Sequence, residues 1–231
     1  MVNILKKAAS GLLEMMLSPA KVLAVRAWYP GTMYEVDLHL PTTNMEGWDT
    51  IKRLKCKLDA LEYRGYTPAL WNSETNVCTM FIEAGHNGAG SRWVKRLQPG
   101  DEISFGAAHA AALPTSLGGV LCLADGSALG HFLALKQLTD HSEHPMDVAV
   151  LLPENCRIPD TLKEENPEFE FITGHGNAGI ALLEQWCDRK DLNQYNSIYI
   201  AGNVPMMRAL RRKLKANPAV HAKVYGYGFW S

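Results

Sequence analysis

Apolar and polar residues alternate in two neighbouring segments near the start of the chain, residues 21–28 and 33–40. Alternation of this kind turns one face of an extended chain toward a core and the other toward solvent. The residues between them, 29–32 (YPGT), favour a turn, so the pattern predicts an antiparallel hairpin. Residues 77–83 and 102–105 are further predicted strands, and several short strands in succession predict a small antiparallel barrel.

The pattern changes from residue 119 onward. Apolar residues now fill almost every position of short runs, as expected for strands covered on both faces. The runs lie at residues 119–124, 146–152, 169–173 and 197–202. Three helices are predicted between and after them: one that ends near Leu138, one at about 178–189 and one at 204–216. This alternation predicts a parallel sheet with helices on both faces. The predicted fold class is therefore β + α/β, an N-terminal antiparallel β-barrel followed by a C-terminal parallel α/β nucleotide-binding domain.

The start of the chain is predicted to form an amphipathic helix. Its apolar positions on or near one face are Leu5, Leu12, Leu13 and Met16. A secretion signal is disfavoured because Glu14 interrupts an apolar stretch that is already short. No segment reaches the roughly 20 apolar residues that a membrane span requires. The predicted organisation is a helix at 1–19, the barrel at 20–112 and the α/β domain at 113–231.

Composition narrows the possible partners. The chain has 231 residues, of which 47% are hydrophobic and 20% charged, so a well-buried core is expected. The formal net charge is −1, which gives no electrostatic reason to expect a nucleic-acid partner. The five cysteines are scattered and form no CxxC pair, so no zinc site or iron–sulfur cluster is indicated and no metal ligand is assigned. Such cysteines fit a reducing, cytoplasmic compartment.

The segment RGYTP (residues 64–68) combines the residue types that a flavin requires. A flavin needs positive charge or amides for its phosphates, a flat neighbour for its ring and a hydrogen-bonding group near its reactive N5. In an extended strand Arg64 and Tyr66 point one way and Thr67 the other, so one short segment can serve all three needs. An ordinary barrel strand with an exposed Arg and Tyr fits these residues equally well.

A second segment, GAGSRW (residues 88–93), follows one predicted strand later. Ser91 is the predicted N-cap of a helix that ends before Pro99-Gly100. Glycines just before a helix let a phosphate approach bare N–H groups at the positive end of the helix dipole. Taken alone, the segment is also explained by a plain helix cap.

In this order, the motifs resemble the siderophore-interacting proteins of the ferredoxin–NADP reductase-like superfamily. The segments that carry the resemblance are RGYTP (64–68), GAGSRW (88–93), KRLQPGDEISF (95–105), LCLADGSALGHFLAL (121–135), IYIAGNVPMMRALRRKL (198–214) and the aromatic end YGYGFWS (225–231). The resemblance covers nearly all of the chain from residue 21. It departs from the family at Ala69, where a second basic residue is common, and at Gly126 and Gly130, where acidic residues and a proline are common.

The resemblance implies FAD in the barrel, NADPH or NADH as cosubstrate in the α/β domain, and reduction of a ferric siderophore or similar ferric chelate that releases iron. It implies that Arg64 contacts the FAD phosphates, that Tyr66 contacts the isoalloxazine ring and that Thr67 contacts its N5. Tyr66 and Thr67 are the two expected catalytic residues. Gly90 and Ser91 would cradle the pyrophosphate. Asp125, Ser127 and Gly202 would line the nucleotide site, and the remaining expected cofactor contacts are Pro68, His86, Gly88 and Trp230.

Several alternatives stay open. Another acceptor, such as a quinone, a free flavin or a protein, fits the same flavin chemistry, and so does a non-catalytic carrier of siderophore or nucleotide. The aromatic tail fits either a flavin contact, through Trp230 or Tyr227, or an ordinary last strand. Glu154 would favour NADH by repelling a 2′-phosphate and Arg157 would favour NADPH by attracting it, so the cosubstrate is undecided. A monomer and a homodimer are equally compatible.

Overall fold

The computed structural model describes residues 17–107 and 110–231. Its first part is one antiparallel sheet of seven strands in the order β4-β3-β7-β1-β2-β6-β5. The strands are β1 (Ser18–Trp28), β2 (Met33–His39), β3 (Leu54–Asp59), β4 (Glu62–Tyr66), β5 (Pro68–Asn72), β6 (Val77–Glu83) and β7 (Glu102–Ala107), with helix α1 (Ala89–Arg96) between β6 and β7. The two edge strands, β4 and β5, are joined through Thr67 alone, so the chain itself brings the edges of the curled sheet together.

The second part is a parallel sheet of five strands in the order β10-β9-β8-β11-β12. Its strands are β8 (Gly119–Asp125), β9 (Met146–Leu152), β10 (Phe169–Thr173), β11 (Tyr195–Asn203) and β12 (Lys223–Trp230). Its helices are α2 (Leu129–Leu138), α3 (Asp160–Glu165), α4 (Gly176–Asp188) and α5 (Val204–Ala216). The strand order reverses between β8 and β11. In open sheets of this kind, ligands bind beyond the carboxyl ends of the strands at that reversal.

Both faces of the parallel sheet are buried, as the apolar runs predict. Val120 and Cys122 of β8 pack in one core with Phe132 of α2, whereas Leu121 and Leu123 pack in a second core on the opposite face. The first core also contains side chains of the antiparallel sheet, Trp28, Met33 and Phe81. The two sheets therefore share a continuous apolar core. This core holds the carboxyl ends of the parallel strands in a fixed position against the antiparallel sheet.

Several predicted elements are confirmed with their bounds, namely Val77–Glu83, Met146–Leu152, Phe169–Thr173 and Val204–Ala216. The predicted hairpin at 21–40 is also present, as β1 and β2. The N-terminal helix predicted at 1–19 lies mostly outside the described residues, and its end was wrong because β1 already begins at Ser18. Strands β3 and β5 and the short helix α3 were not predicted. No helix within the described residues is long and apolar enough to cross a membrane.

Candidate active site at the junction of the two sheets

Two cavities meet where the antiparallel sheet faces the carboxyl ends of the parallel strands. The barrel-side cavity, of about 250 Å³, lies between Arg53, Tyr66 and the first turn of α1. The sheet-side cavity, of about 320 Å³, lies beyond Asp125, Leu152 and Gly174, at the ends of β8, β9 and β10. They share three lining residues, Glu83, His86 and Trp230. Ligands in the two cavities would therefore meet across these side chains.

The start of helix α1 forms one wall of the barrel-side cavity. The helix begins at Ala89 after the N-cap Gly88, which has no side chain to satisfy the first N–H groups. The prediction that Ser91 is the N-cap was wrong: Ser91 lies within the first turn, buried, and its Oγ has no hydrogen-bond partner. Bare N–H groups and an unpartnered hydroxyl at a helix N-terminus favour an anionic ligand.

Tyr66 packs against helix α1 and also lines the barrel-side cavity. Its ring stacks on Trp93 of α1, with centroids 5.6 Å apart and planes 12° from parallel. The Tyr66 hydroxyl lies so close to Gly90 that no Cβ would fit there, so glycine is required for this approach. Burial raises the pKa of Tyr66, which keeps the phenol neutral. The result is a flat aromatic surface beside the helix N-terminus.

Two arginines face the barrel-side cavity. Arg64 is half exposed and already engaged, since it donates to Glu62 at 3.0 Å and to the Tyr63 carbonyl at 2.8 Å. Arg53 lies across Gly65, with its guanidinium 4.6 Å from the centroid of the Phe229 ring. No carboxylate in the described part of the chain forms a salt bridge with Arg53, and burial lowers its pKa. Arg53 is thus a partly desolvated cation directed at the cavity without an anion of its own.

Asp125, at the end of β8, organises the sheet-side cavity. Its carboxylate accepts hydrogen bonds from the Ser127 amide and hydroxyl, from the Asn203 amide at 2.6 Å and from Trp230 Nε1 at 3.1 Å. Gly202 has φ +124, and a Cβ there would collide with the Asp125 carboxylate. The carboxylate therefore connects β8, β11 and the C-terminal tail at the point where the strand order reverses.

Glu83, the last residue of β6, lies beside Asp125 and contacts both cavities. Its Oε2 is buried without a hydrogen-bond partner, in space left open by the missing side chain of Gly126. Burial, followed by the negative charge of Asp125, raises the pKa of Glu83 to about 8. Burial raises the pKa of Asp125 as well, but four donors favour its anion. Only the Ser127 amide favours the Glu83 anion, and Oε2 of Glu83 has no partner, so Glu83 is the member of the pair that holds the proton.

His86 and Trp230 cover the junction where the two cavities meet. Their rings stack with centroids 5.1 Å apart and planes 3° from parallel. Burial, together with the nearby Lys95, lowers the pKa of His86, so a neutral imidazole faces the indole. The aromatic tail forms the last strand, β12, as one of the two interpretations predicts. Trp230 near its end lines both cavities, and its contact with a flavin stays a prediction.

The structure brings most of the predicted site residues together. Those that line the barrel-side cavity are Arg64, Tyr66, His86, Gly88, Gly90, Ser91, Ser127 and Trp230. Asp125 lines the sheet-side cavity, whereas Ser127, expected at the nucleotide, lines the barrel side. Thr67, Pro68 and Gly202 line neither cavity: Thr67 is buried at the link between β4 and β5, and Gly202 lies behind Asp125.

Two residues that line the cavities, Arg53 and Glu83, were not predicted from the sequence. Arg53 precedes β3 within an ordinary stretch of alternating basic and apolar residues, so no motif distinguishes it. Glu83 is an acidic residue at the end of an otherwise apolar run, and that was the available signal for a carboxyl group at a sheet edge. Its pairing with Asp125 joins positions 42 residues apart on different sheets, which periodicity cannot detect.

A larger cleft of about 720 Å³ lies elsewhere, between β1 and the segment that leads into α3. Its cations are already engaged: Arg26 bonds to Glu35 and Asp37, and Arg157 lies 4.7 Å from the centroid of the Tyr29 ring. This cleft therefore offers less unmet polar capacity than the junction does.

Comparison with known proteins places the fold. The sequence matches no protein-family model and no curated protein. The siderophore-interacting protein SipS from Aeromonas hydrophila is 14% identical, with a TM-score of 0.74 over 93% of this chain and 91% of that one. The siderophore-interacting protein from Acinetobacter baumannii is 15% identical, with a TM-score of 0.69 over 93% and 90%.

A ferredoxin–NADP+ reductase from Plasmodium falciparum, solved as the H286L mutant, is 14% identical, with a TM-score of 0.67 over 92% of this chain and 97% of that one. At such low identity the likeness shows the fold alone. This chain has the fold shared by the siderophore-interacting proteins and the ferredoxin reductases.

Proposed function

We propose that the chain is a flavin-dependent reductase. In this proposal FAD binds in the barrel-side cavity, NADPH or NADH binds in the sheet-side cavity, and the electrons pass to a ferric siderophore or a similar ferric chelate. The observation that carries the proposal is that the two cavities share Glu83, His86 and Trp230, so two ligands would meet edge to edge. Direct transfer between two cofactors requires such contact.

The barrel-side residues fit a flavin nucleotide. The open start of α1 and the unpartnered Ser91 Oγ suit a pyrophosphate, and Arg53 supplies an unpaired positive charge. Tyr66 offers the flat neighbour that a ring system needs, on a wall kept open by Gly90. These features support FAD independently of the motif resemblance.

The sheet-side residues fit a nicotinamide nucleotide. The cavity lies at the reversal of strand order, where nucleotides bind in open parallel sheets. Asp125 and Trp230 fix the position of the chain end, and the Trp230 indole covers the junction until a second ring takes its place. The aromatic cover also keeps water from the surface where the two ligands would touch.

A bound flavin supplies the conversion between a two-electron donor and one-electron acceptors such as ferric iron. The protein contributes binding, orientation and exclusion of water. No group of three or more His, Cys, Asp or Glu side chains in the described residues is arranged to hold a metal ion. In this proposal iron therefore arrives in its chelator, as substrate, and the names of the solved structures with this fold support a siderophore as that chelator.

The test separates the electron donor from the acceptor. The FAD-loaded protein is reduced anaerobically with NADPH or NADH, and a ferric siderophore, another ferric chelate or a quinone is then added in parallel. The proposal expects the oxidised-flavin absorbance to return quickly with the ferric chelates, with ferrous iron trapped by a colour-forming chelator.

Two results would contradict it in different ways. If a quinone restores the absorbance quickly and ferric chelates do not, the protein is a reductase with another acceptor. If the nucleotides leave the flavin oxidised, the chain is a carrier and not a reductase. Arg189→Gln, which removes a surface ion pair with Glu170 far from the junction, is the matched control and is expected to behave as the wild type.

A further inference from the structure

Glu83 forms a buried pair with Asp125, and neither the phosphates nor the rings of the two proposed cofactors require its carboxyl group. Glu83 nevertheless lies at the seam, in contact with both cavities, and its Oε2 is buried without a hydrogen-bond partner. A buried oxygen without a partner is destabilising, most of all when its group is charged, so the carboxyl favours its protonated form unless a cationic ligand lies beside it. The position therefore indicates a group that responds to what binds beside it.

The two redox forms of a nicotinamide ring differ in charge at this seam. The oxidised ring is a cation and the reduced ring is neutral. A cation within about 4–6 Å of a carboxyl group favours its ionised form, and a neutral ring does not. A protonated carboxyl at the junction would thus lose its proton beside one form and keep it beside the other.

We infer that Glu83 is a proton-linked charge sensor at the junction, which ionises when the oxidised nicotinamide nucleotide binds and stays protonated beside the reduced form. In this step the O–H bond of the Glu83 carboxyl group breaks, the proton leaves to solvent, and no electron is transferred. The inference rests on the proposed function, since it requires a nicotinamide nucleotide in the sheet-side cavity.

Other titratable groups face Glu83 from the surrounding elements. Asp125 at the end of β8 is anionic and opposes ionisation of Glu83, and the Cys156 thiol after β9 is kept neutral by burial, which raises its pKa. His86 after β6 is neutral and stacked on Trp230. Farther out, His175 pairs with the exposed Glu154 at 3.2 Å, and Arg53 lies across the barrel-side cavity. Of these groups, Glu83 alone combines the seam position with a buried, unpartnered oxygen.

The consequence is a pH-dependent preference between redox forms. Near neutral pH the oxidised nucleotide binds with release of a proton, and its affinity relative to the reduced form increases as the pH rises. For the reaction this means that Glu83 keeps the product nucleotide from binding too tightly at lower pH, because the carboxyl must first lose its proton.

Calorimetry on the FAD-loaded protein tests the inference. The oxidised nucleotide is compared with its 1,4,5,6-tetrahydronicotinamide analogue, which has a neutral ring and cannot transfer hydride. Each is titrated at pH 7 in two buffers of different ionisation enthalpy, so that the dependence of the heat on the buffer counts the protons released. Because both ligands carry the same phosphates, proton release from the phosphates cancels in the comparison.

We expect the oxidised form to release roughly 0.4–0.9 more proton per bound nucleotide than the analogue. Glu83→Gln should abolish this difference while both ligands still bind. Glu143→Gln, which changes an exposed loop carboxylate, is the control and should retain the wild-type difference. Equal proton release by the two ligands in the wild type, or an unchanged difference in Glu83→Gln, would overturn the inference.

A second measurement on the unmodified protein guards against misfolding of the variant. The ratio of the two dissociation constants is followed from pH 6.5 to 9, and the preference for the oxidised form should increase about tenfold or more. A flat ratio would overturn the inference and leave the proposed function in place. Failure of both nucleotides to bind the FAD-loaded protein would overturn the proposed function together with the inference.

Discussion

Trp230, the penultimate residue of the chain, donates a hydrogen bond from its indole Nε1 to Oδ2 of Asp125 at 3.1 Å. This bond joins positions that lie 105 residues apart and links the last strand of the parallel sheet to the end of its central strand. Through its stack on His86 the same indole also reaches the loop that follows β6 of the antiparallel sheet. The C-terminal tail thus couples both sheets at the candidate active site.

The position of Trp230 leads to a prediction about nucleotide affinity. A ligand ring that enters the junction must displace the indole and break its stack, at a cost of roughly 1 kcal/mol. Trp230→Ala should therefore bind a nicotinamide nucleotide about five- to tenfold more tightly. Trp230→Phe keeps a ring and should stay near wild type, although it loses the bond to Asp125. Fluorescence or calorimetric titration measures this, and weaker binding by Trp230→Ala would show that the indole is part of the nucleotide site itself.

Arg53 and Arg64 are expected to differ in their effect on FAD retention. Arg53 has no salt-bridge partner in the described residues, whereas half-exposed Arg64 already pairs with Glu62. A charge-assisted bond to phosphate contributes roughly 1.5–3 kcal/mol, so Arg53→Met should weaken FAD binding about 10- to 100-fold. Arg64→Met should have the smaller effect because its charge is shared with Glu62. The measurement is the FAD dissociation constant of each variant, and the reverse order would support the motif-based assignment of Arg64 as the main phosphate contact.

Gly202 should tolerate no side chain. Its φ of +124 is unfavourable for other residues, and a Cβ would collide with the Asp125 carboxylate. Gly202→Ala is expected to lower the free energy of unfolding by about 2 kcal/mol or more. Gly47 provides the matched control, because a Cβ at that position meets nothing within 4 Å. Thermal denaturation compares the two variants, and equal melting temperatures would contradict the close packing behind Asp125.

Glu83 is expected to make stability depend on pH in a definite direction. Below the usual pKa of 4.5 the carboxyl is protonated in both the native and the unfolded protein, so it contributes no pH dependence. As the pH rises toward about 8, the unfolded chain ionises Glu83 while the native protein does not, and the wild type loses stability. The free energy of unfolding of Glu83→Gln, relative to that of the wild type, should therefore be roughly 1–3 kcal/mol higher at pH 8 than at pH 5. Denaturant titrations at both pH values measure the gain, and a constant difference would show that Glu83 is ionised in the native protein.

The sequence predicts those elements whose burial is regular. The run at 146–152 stands out because all its positions but Asp147 are apolar, and the helix at 204–216 because one face is apolar; both have their predicted bounds. Strand β5 begins at Pro68 and contains Leu70 at φ +50, so neither its composition nor its geometry is typical of a strand. Helix α3 is short and rich in charge, which hides it among loops.

The candidate site likewise contains residues that the sequence could predict and residues that it could not. Residues in local motifs, such as Tyr66 and Gly90, were found because a few neighbouring positions carry the signal. The contact of Arg53 with Phe229 and the electrostatic interaction of Glu83 with Asp125 depend on how the two sheets pack together. Such convergence leaves no trace in spacing or periodicity, so only the fold reveals it.

The most direct test of the central claim is an absorbance measurement on the FAD-loaded protein under anaerobic conditions. If the two cavities hold a flavin and a nicotinamide nucleotide in contact, addition of NADPH or NADH should bleach the oxidised-flavin band. The bleaching should be slower with nucleotide deuterated at the transferred position of C4. A protein that binds FAD and nucleotide but keeps the band unchanged, or that fails to take up FAD, would contradict the account.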